Sequence, residues 1–145
     1  MTALDPDITK ERLAKLEEVV EKLERERPSS AKELAKSDLL SDATLYRLQV
    51  GIEAIVDIGG HILAEVFHQR TESYKDTIRE LARVGIIPAD FAEQNLPMTD
   101  FRNLVVHHYG TIDLAKVYDY LTEAPDIFRQ FAGYYHAFME KQKAQ

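Results

Sequence analysis

Apolar side chains recur at steps of three and four along almost the whole chain, and a period of 3.6 residues leaves room for little besides helices. Leu13, Leu16, Val20 and Leu23 form one such stripe between Pro6-Asp7 and Pro28-Ser29-Ser30, which predicts a helix over residues 8–27. Ser30 with Glu33 three residues later is a capping box for a short helix over 31–36. Ser41, Asp42 and Thr44 offer caps for a long helix over 42–69, with Leu45, Leu48, Ile52, Ile55, Ile62 and Leu63 on its apolar side. Gly51, Gly59 and Gly60 lie inside that stretch. Each costs about 1 kcal/mol relative to Ala, so their presence points to close helix–helix approach rather than to a break. Ser73 caps a helix over 74–84, and Gly85 stops it. Pro88 opens a helix over 89–96, which Pro97 kinks or restarts. Thr99 caps a stretch over 100–109, and Asp113 caps a last helix that reaches Lys141 with a kink at Pro125. Period-two alternation and Asn-Gly or Asp-Gly hairpins are missing. The expected fold is all-α, an up-and-down helical bundle forming one domain over residues 1–145.

Composition narrows the chemistry. A chain of 145 residues can hold a core without staples. With no Cys, disulfide frameworks, zinc fingers, iron–sulfur clusters and thiol nucleophiles are excluded. A formal charge of −7 argues against a general nucleic-acid-coating protein, because phosphate affinity comes mainly from Lys and Arg; a local basic site remains compatible with it. No apolar run approaches the roughly 18 residues of a membrane span, so a cytoplasmic protein with no membrane partner is expected.

One segment differs from the rest. Asp100-Phe101-Arg102-Asn103-Leu104-Val105-Val106-His107-His108-Tyr109-Gly110 gathers Arg, Asn, two His and Tyr around an apolar Leu-Val-Val. Arg is suited to a phosphodiester because its planar donors match phosphate oxygens and it stays charged. Histidine passes protons near neutral pH. The pair suffices for RNA cleavage without a metal: a base takes the 2′-hydroxyl proton, Arg stabilises charge developing on phosphorus, and an acid protonates the leaving 5′-oxygen. On a regular helix, positions five apart diverge by roughly 140°, so Arg102 and His107 face different ways, whereas Asn103 and His107 share a face and Arg102 nearly eclipses Tyr109. Two geometries bring Arg102 and His107 together: a helix ending near Val106 that lets His107 turn inward, or two copies pooling the segment across a two-fold axis. The plainer alternative pairs Arg102 with a carboxylate and leaves His107 to close a helix end.

Arg102, four residues, His107, one residue and Tyr109 resemble the Arg-x4-His-x-Tyr signature of HEPN-domain ribonuclease toxins, in particular of the HepT family. MTDFRNLVVHHYGTID, LQVGIEAIVDIGGHILAE and SYKDTIRELARVGII are each similar to that family's corresponding stretches, and the similarity spans residues 13–131. The resemblance implies a HEPN bundle of about five helices that forms a homodimer with its Arg/His clefts at the interface. It implies an endoribonuclease toxin of a toxin–antitoxin pair, with RNA, and tRNA in particular, as substrate, and no cofactor or metal. The implied partner is an MntA-like nucleotidyltransferase antitoxin that AMPylates the motif tyrosine, here Tyr109; the nucleotide would compete with substrate phosphate for Arg102. Catalysis falls to Arg102 and His107, with Asn103 orienting phosphate or His107, while His108 holds the variable position and has no assigned role. A rival from another class is a non-catalytic helical module that binds a nucleotidyltransferase. A nucleotide-binding bundle is weaker, since no G-x-x-x-x-G-K-[ST] loop is present.

Four other patterns have plainer readings. Gln49, Glu53, Asp57 and His61 form a polar i, i+4 stripe, by default a solvated face. The resemblance instead places Asp57 beside Arg102 as a supporting residue, with His61 as its hydrogen-bonded partner. A single Glu65-x-x-His68 falls short of the two copies that di-iron bundles need. Lys75, Arg79 and Arg83 form a row that could guide RNA toward the cleft, but each follows an acid by three residues, the pattern of a salt-bridged surface. The aromatics between Tyr118 and Phe138 could stack on RNA bases, but packing in the core or at a dimer contact is expected.

Overall fold

A computed structural model of the chain describes residues 5–107 and 109–144, for Tyr109 the backbone only. Among the described residues there are seven α-helices and no strand: α1 (Pro6–Arg25), α2 (Ala31–Lys36), α3 (Asp38–Phe67), α4 (Tyr74–Arg83), α5 (Ala89–Asn95), α6 (Pro97–His107) and α7 (Leu114–Lys143), with a 3₁₀ turn at Tyr109–Thr111. They form an up-and-down bundle around α3, which packs on α1, α2, α4, α6 and α7. Leu48, Ile52, Ile55, Ile58, Ile62 and Leu63 of α3 are all at most 1% exposed, so the strongest apolar stripe in the sequence is the axis of the core. No helix among the described residues is long and apolar enough to cross a membrane.

The caps explain most boundaries. Asp5, Ser30, Ser73 and Asp113 each accept a backbone N–H from the first turn that follows, satisfying donors a helix start leaves open. Gly85 takes φ 84° after α4, and Ile86 N–H donates to Leu81 O at 2.9 Å, a Schellman-type closure that favours glycine. Two expected starts are wrong. The long helix begins at Asp38 rather than Asp42, because Ser37, at φ −122° and ψ 111°, both ends α2 and caps α3. That one-residue hinge leaves Ser41 and Thr44 buried inside the helix, with Ser41 Oγ donating back to Asp38 O. Thr99 does not cap α6 either: the helix starts at Pro97, and buried Thr99 donates its hydroxyl to Leu96 O at 2.8 Å. Pro125 is buried within α7, which continues through it.

The glycines of α3 divide by what faces them. A Cβ on Gly51 would fall 2.9 Å from Phe128 Cδ2, and one on Gly59 would fall 2.7 Å from Leu81 Cδ1 and 2.8 Å from the Tyr135 hydroxyl oxygen. Both are contact points for α7 or α4. A Cβ on Gly60 would meet nothing within 4 Å. Phe128, Phe131 and Tyr135 are fully buried and form core, with Tyr135 donating its hydroxyl hydrogen to Ile55 O at 2.7 Å, while Tyr118, Tyr120, Tyr134 and Phe138 pack half-buried against it.

Candidate active site

Helix α6 is anchored by Met98, Thr99 and Val105, all buried, and by Phe101, whose ring lies 4.9 Å from that of Tyr120. These positions define its inner face. Arg102 stands on the flank of that face, where α6 meets α3, and its side chain is 21% exposed. Asn103, Leu104, Val106 and His107 are exposed on the outer side, with Leu104 and Val106 at 41% and 39%. The helix continues to His107 instead of ending near Val106, so the inward-turning histidine considered from spacing is not formed. Within one copy Arg102 and His107 diverge as ideal helical geometry requires.

The guanidinium of Arg102 is held on three sides. Its Cζ lies 4.9 Å from the centroid of the Tyr74 ring on the first turn of α4, its Nη2 lies 3.6 Å from Glu53 Oε2 on α3, and its Nη1 donates to Asn103 Oδ1 at 3.3 Å. Glu53 is itself oriented by Gln49, whose Nε2 donates to Glu53 Oε1 at 2.8 Å. The Nε of Arg102 is buried with no hydrogen-bond partner among the described residues. A cation kept in place and still partly exposed is equipped to receive an anion.

The stripe Gln49-Glu53-Asp57-His61 therefore does not form a plain solvated face. The acid within ion-pair distance of Arg102 is Glu53, one turn before Asp57, the residue expected there. Asp57 is exposed and acts on Arg102 through space. Partial desolvation raises its carboxyl above the ordinary aspartate range; Arg12 and Arg102 pull it down and Glu53 adds to the rise. His61 makes no hydrogen bond to Asp57, and its Nε2 is buried with no partner among the described residues. The same cluster raises the Tyr74 hydroxyl, first by burial, opposed by Arg102, and with Glu53 and Asp57 reinforcing the rise, so the phenol is neutral at physiological pH.

Tyr109 falls in the 3₁₀ turn after α6, so the eclipsing of Arg102 and Tyr109 expected on one continuous helix does not apply. Its side chain, like His108, lies outside the described residues. His68 closes α3 in the left-handed conformation at φ 55° and is exposed, while Glu65 sits in the preceding turn. The basic row on α4 is paired, but mostly between helices. Lys75 Nζ lies 3.0 Å from Asp100 of α6 and Arg79 Nε lies 3.9 Å from Glu93 of α5; only Arg83 pairs within α4, with Glu80 at 2.8 Å.

Sequence reasoning gave Tyr74 no site role and did not single out Glu53. Glu53 was visible as one of four equivalent positions on a stripe, and the packing of α6 on α3 selects it. Nothing in the spacing links Tyr74 to Arg102; only the fold brings α4 and α6 together at that point.

The architecture and this motif helix place the chain among HEPN-type helical proteins. A Shewanella oneidensis HEPN toxin, solved tri-AMPylated in complex with an MNT antitoxin, superposes with a TM-score of 0.83 at 22% identity, over 92% of this chain and 99% of that one. The Bacillus subtilis cytosolic protein YutE, of unknown function, superposes with a TM-score of 0.83 at 17% identity, over 98% and 95%. The family described as Ribonuclease HepT-like matches residues 10–134, and the chain belongs to that ribonuclease family. Among characterised relatives, the tRNA nuclease HepT of Aphanizomenon flos-aquae is 27% identical over 81% of this chain and 80% of its own length. The mRNA nuclease HepT of Shewanella oneidensis is 28% identical over 63% and 69%.

Proposed function

We propose that this ribonuclease is the toxin of a toxin–antitoxin pair and cleaves tRNA as a homodimer, each cleft taking Arg102 from one copy and His107 from the other. The observation that carries the reading is the geometry of α6: Arg102 is held at the seam with α3 and stays partly exposed, while His107 is exposed on another side of the same short helix. A second copy supplies what one copy cannot. Exposed Leu104 and Val106 beside His107 offer that copy an apolar contact.

In this arrangement His107 exchanges the proton of the 2′-hydroxyl or of the leaving 5′-oxygen, and Arg102 stabilises the charge that builds on the phosphorus oxygens between those steps. Asn103 accepts a hydrogen bond from Arg102 at 3.3 Å and so helps to orient the guanidinium toward the substrate phosphate. The chemistry needs no metal, because proton transfer and charge stabilisation are both supplied by side chains. Support for tRNA comes from the Aphanizomenon relative, and support for the antitoxin from the complexed Shewanella toxin. In this reading the antitoxin is an MntA-like nucleotidyltransferase and Tyr109, at the tyrosine position of the Arg-x4-His-x-Tyr motif, is the AMP acceptor; the tri-AMPylated state of the Shewanella toxin supports it. A nucleotide on the turn that follows α6 brings negative charge to the cation that substrate phosphate requires.

Cleavage of purified tRNA in EDTA tests the activity, and intact mass after co-expression with a nucleotidyltransferase antitoxin tests the control. The expected results are cleavage unaffected by the chelator and a mass increase of whole AMP units that Tyr109→Phe abolishes. Binding of the antitoxin with no cleavage of any RNA would instead make the chain an interaction module.

A further inference from the structure

We propose that Tyr74 is a positioning residue for catalysis, the platform that fixes the plane of the Arg102 guanidinium; the proposal rests on Arg102 acting on phosphate as described above. Hydrogen bonding alone does not set that plane. Arg102 makes one side-chain hydrogen bond among the described residues, to its chain neighbour Asn103 at 3.3 Å, and its Nε is buried without an acceptor. The ion pair to Glu53 is long at 3.6 Å and leaves the guanidinium free to turn about it. The Tyr74 ring supplies the missing restraint, lying 4.9 Å from Arg102 Cζ, inside the range at which a ring face attracts a guanidinium.

A face contact has a property that a carboxylate partner lacks. It restrains the cation's orientation while occupying none of its N–H donors, so the donors stay available for phosphate oxygens. The placement of Tyr74 is equally firm. It is the first residue of α4, fixed by the Ser73 cap, and it is half-buried. Lys75, the next residue, makes an exposed ion pair with Asp100 of α6 at 3.0 Å, which puts the start of α4 beside the motif helix. A groove of about 410 Å³ runs along this junction, lined by Tyr74 and Asn103, two of the three residues that hold Arg102, together with Ser73, Lys75, Thr99 and Asp100. The phenol is neutral, so the ring adds no charge of its own to a site meant for an anion.

The test combines a resonance that reads Arg102 directly with kinetics. In ¹⁵N-labelled protein the Arg102 Nε–H signal, assigned by its loss in Arg102→Lys, is expected to be shifted by the ring in wild type and Tyr74→Phe and to return toward free-arginine values in Tyr74→Leu. In tRNA cleavage Tyr74→Leu is expected to lower kcat roughly ten-fold with KM changed far less, and Tyr74→Phe to restore it. In an Arg102→Lys background Tyr74→Leu is expected to add little, because the planar group it positions is gone. An Arg102 signal indifferent to Tyr74→Leu overturns the proposal, and so does an effect on kcat that is fully additive with Arg102→Lys. A protein that cleaves no RNA while the signal shifts as described would retain Tyr74 as the platform and discard the nuclease reading instead.

Discussion

Replacing His107 with alanine is expected to lower kcat for RNA cleavage by about 10²–10⁴-fold, the range that a positioned acid or base contributes. The fold should not register the change. His107 is exposed at the last turn of α6, so unfolding free energy is expected to move by no more than about 0.5 kcal/mol. Arg102→Ala is expected to cost about 10²–10³-fold, the scale of losing one preorganised group aimed at developing charge. Arg102→Lys should recover only part of this, since an ammonium keeps the charge but loses the planar fork that matches phosphate and the guanidinium contact over the Tyr74 ring. Single-turnover cleavage of tRNA beside a thermal melt separates the two effects. A His107→Ala rate within two-fold of wild type, at equal stability, would remove His107 from the chemistry.

The largest expected loss of stability is at the crossing of α3 and α7. Phe128 is fully buried against Gly51, so Phe128→Ala is expected to destabilise by about 3–5 kcal/mol through lost burial and the cavity left behind. Gly51→Ala attacks the same contact from the other side. Its Cβ would fall 2.9 Å from Phe128 Cδ2, and pushing the ring aside in a packed core is expected to cost about 1–3 kcal/mol despite the better helix propensity of alanine. Gly60→Ala, with open space around it, is expected to be neutral or to stabilise by up to about 1 kcal/mol. Urea denaturation at one fixed protein concentration checks all three, because an associating protein melts in a concentration-dependent way. Equal costs for the two glycines would contradict the account of the crossing.

The ease of reading the helices from sequence follows from where their information lies. Ser30, Ser73, Asp113 and Gly85 each carry their boundary in a local hydrogen bond or a local φ, and each was readable. The junction of α2 and α3 was not, because a single extended serine between two helices leaves no Pro or Gly to mark it, and three plausible caps downstream competed with Ser37. The candidate site divides in the same way. Arg102, Asn103 and His107 stand together in one unusual segment, so composition drew attention to them, and the resemblance to the HepT motif supplied their expected roles. Their support is tertiary. Glu53 and Asp57 are indistinguishable as members of an i, i+4 stripe, and the way α6 lies on α3 decides which of them meets the guanidinium at 3.6 Å. Tyr74 reads as an ordinary first-turn residue until α4 is placed against α6.

Sharing of each cleft between two copies is tested most directly by complementation. Arg102→Ala and His107→Ala chains, each inactive alone, are unfolded together, refolded as an equal mixture and assayed on tRNA. Random pairing makes half the dimers mixed, and each mixed dimer has one cleft with both groups intact. The mixture is therefore expected to regain about one quarter of wild-type activity. Activity no higher than that of either variant alone, in a mixture shown to contain mixed dimers, would contradict a cleft built from two copies.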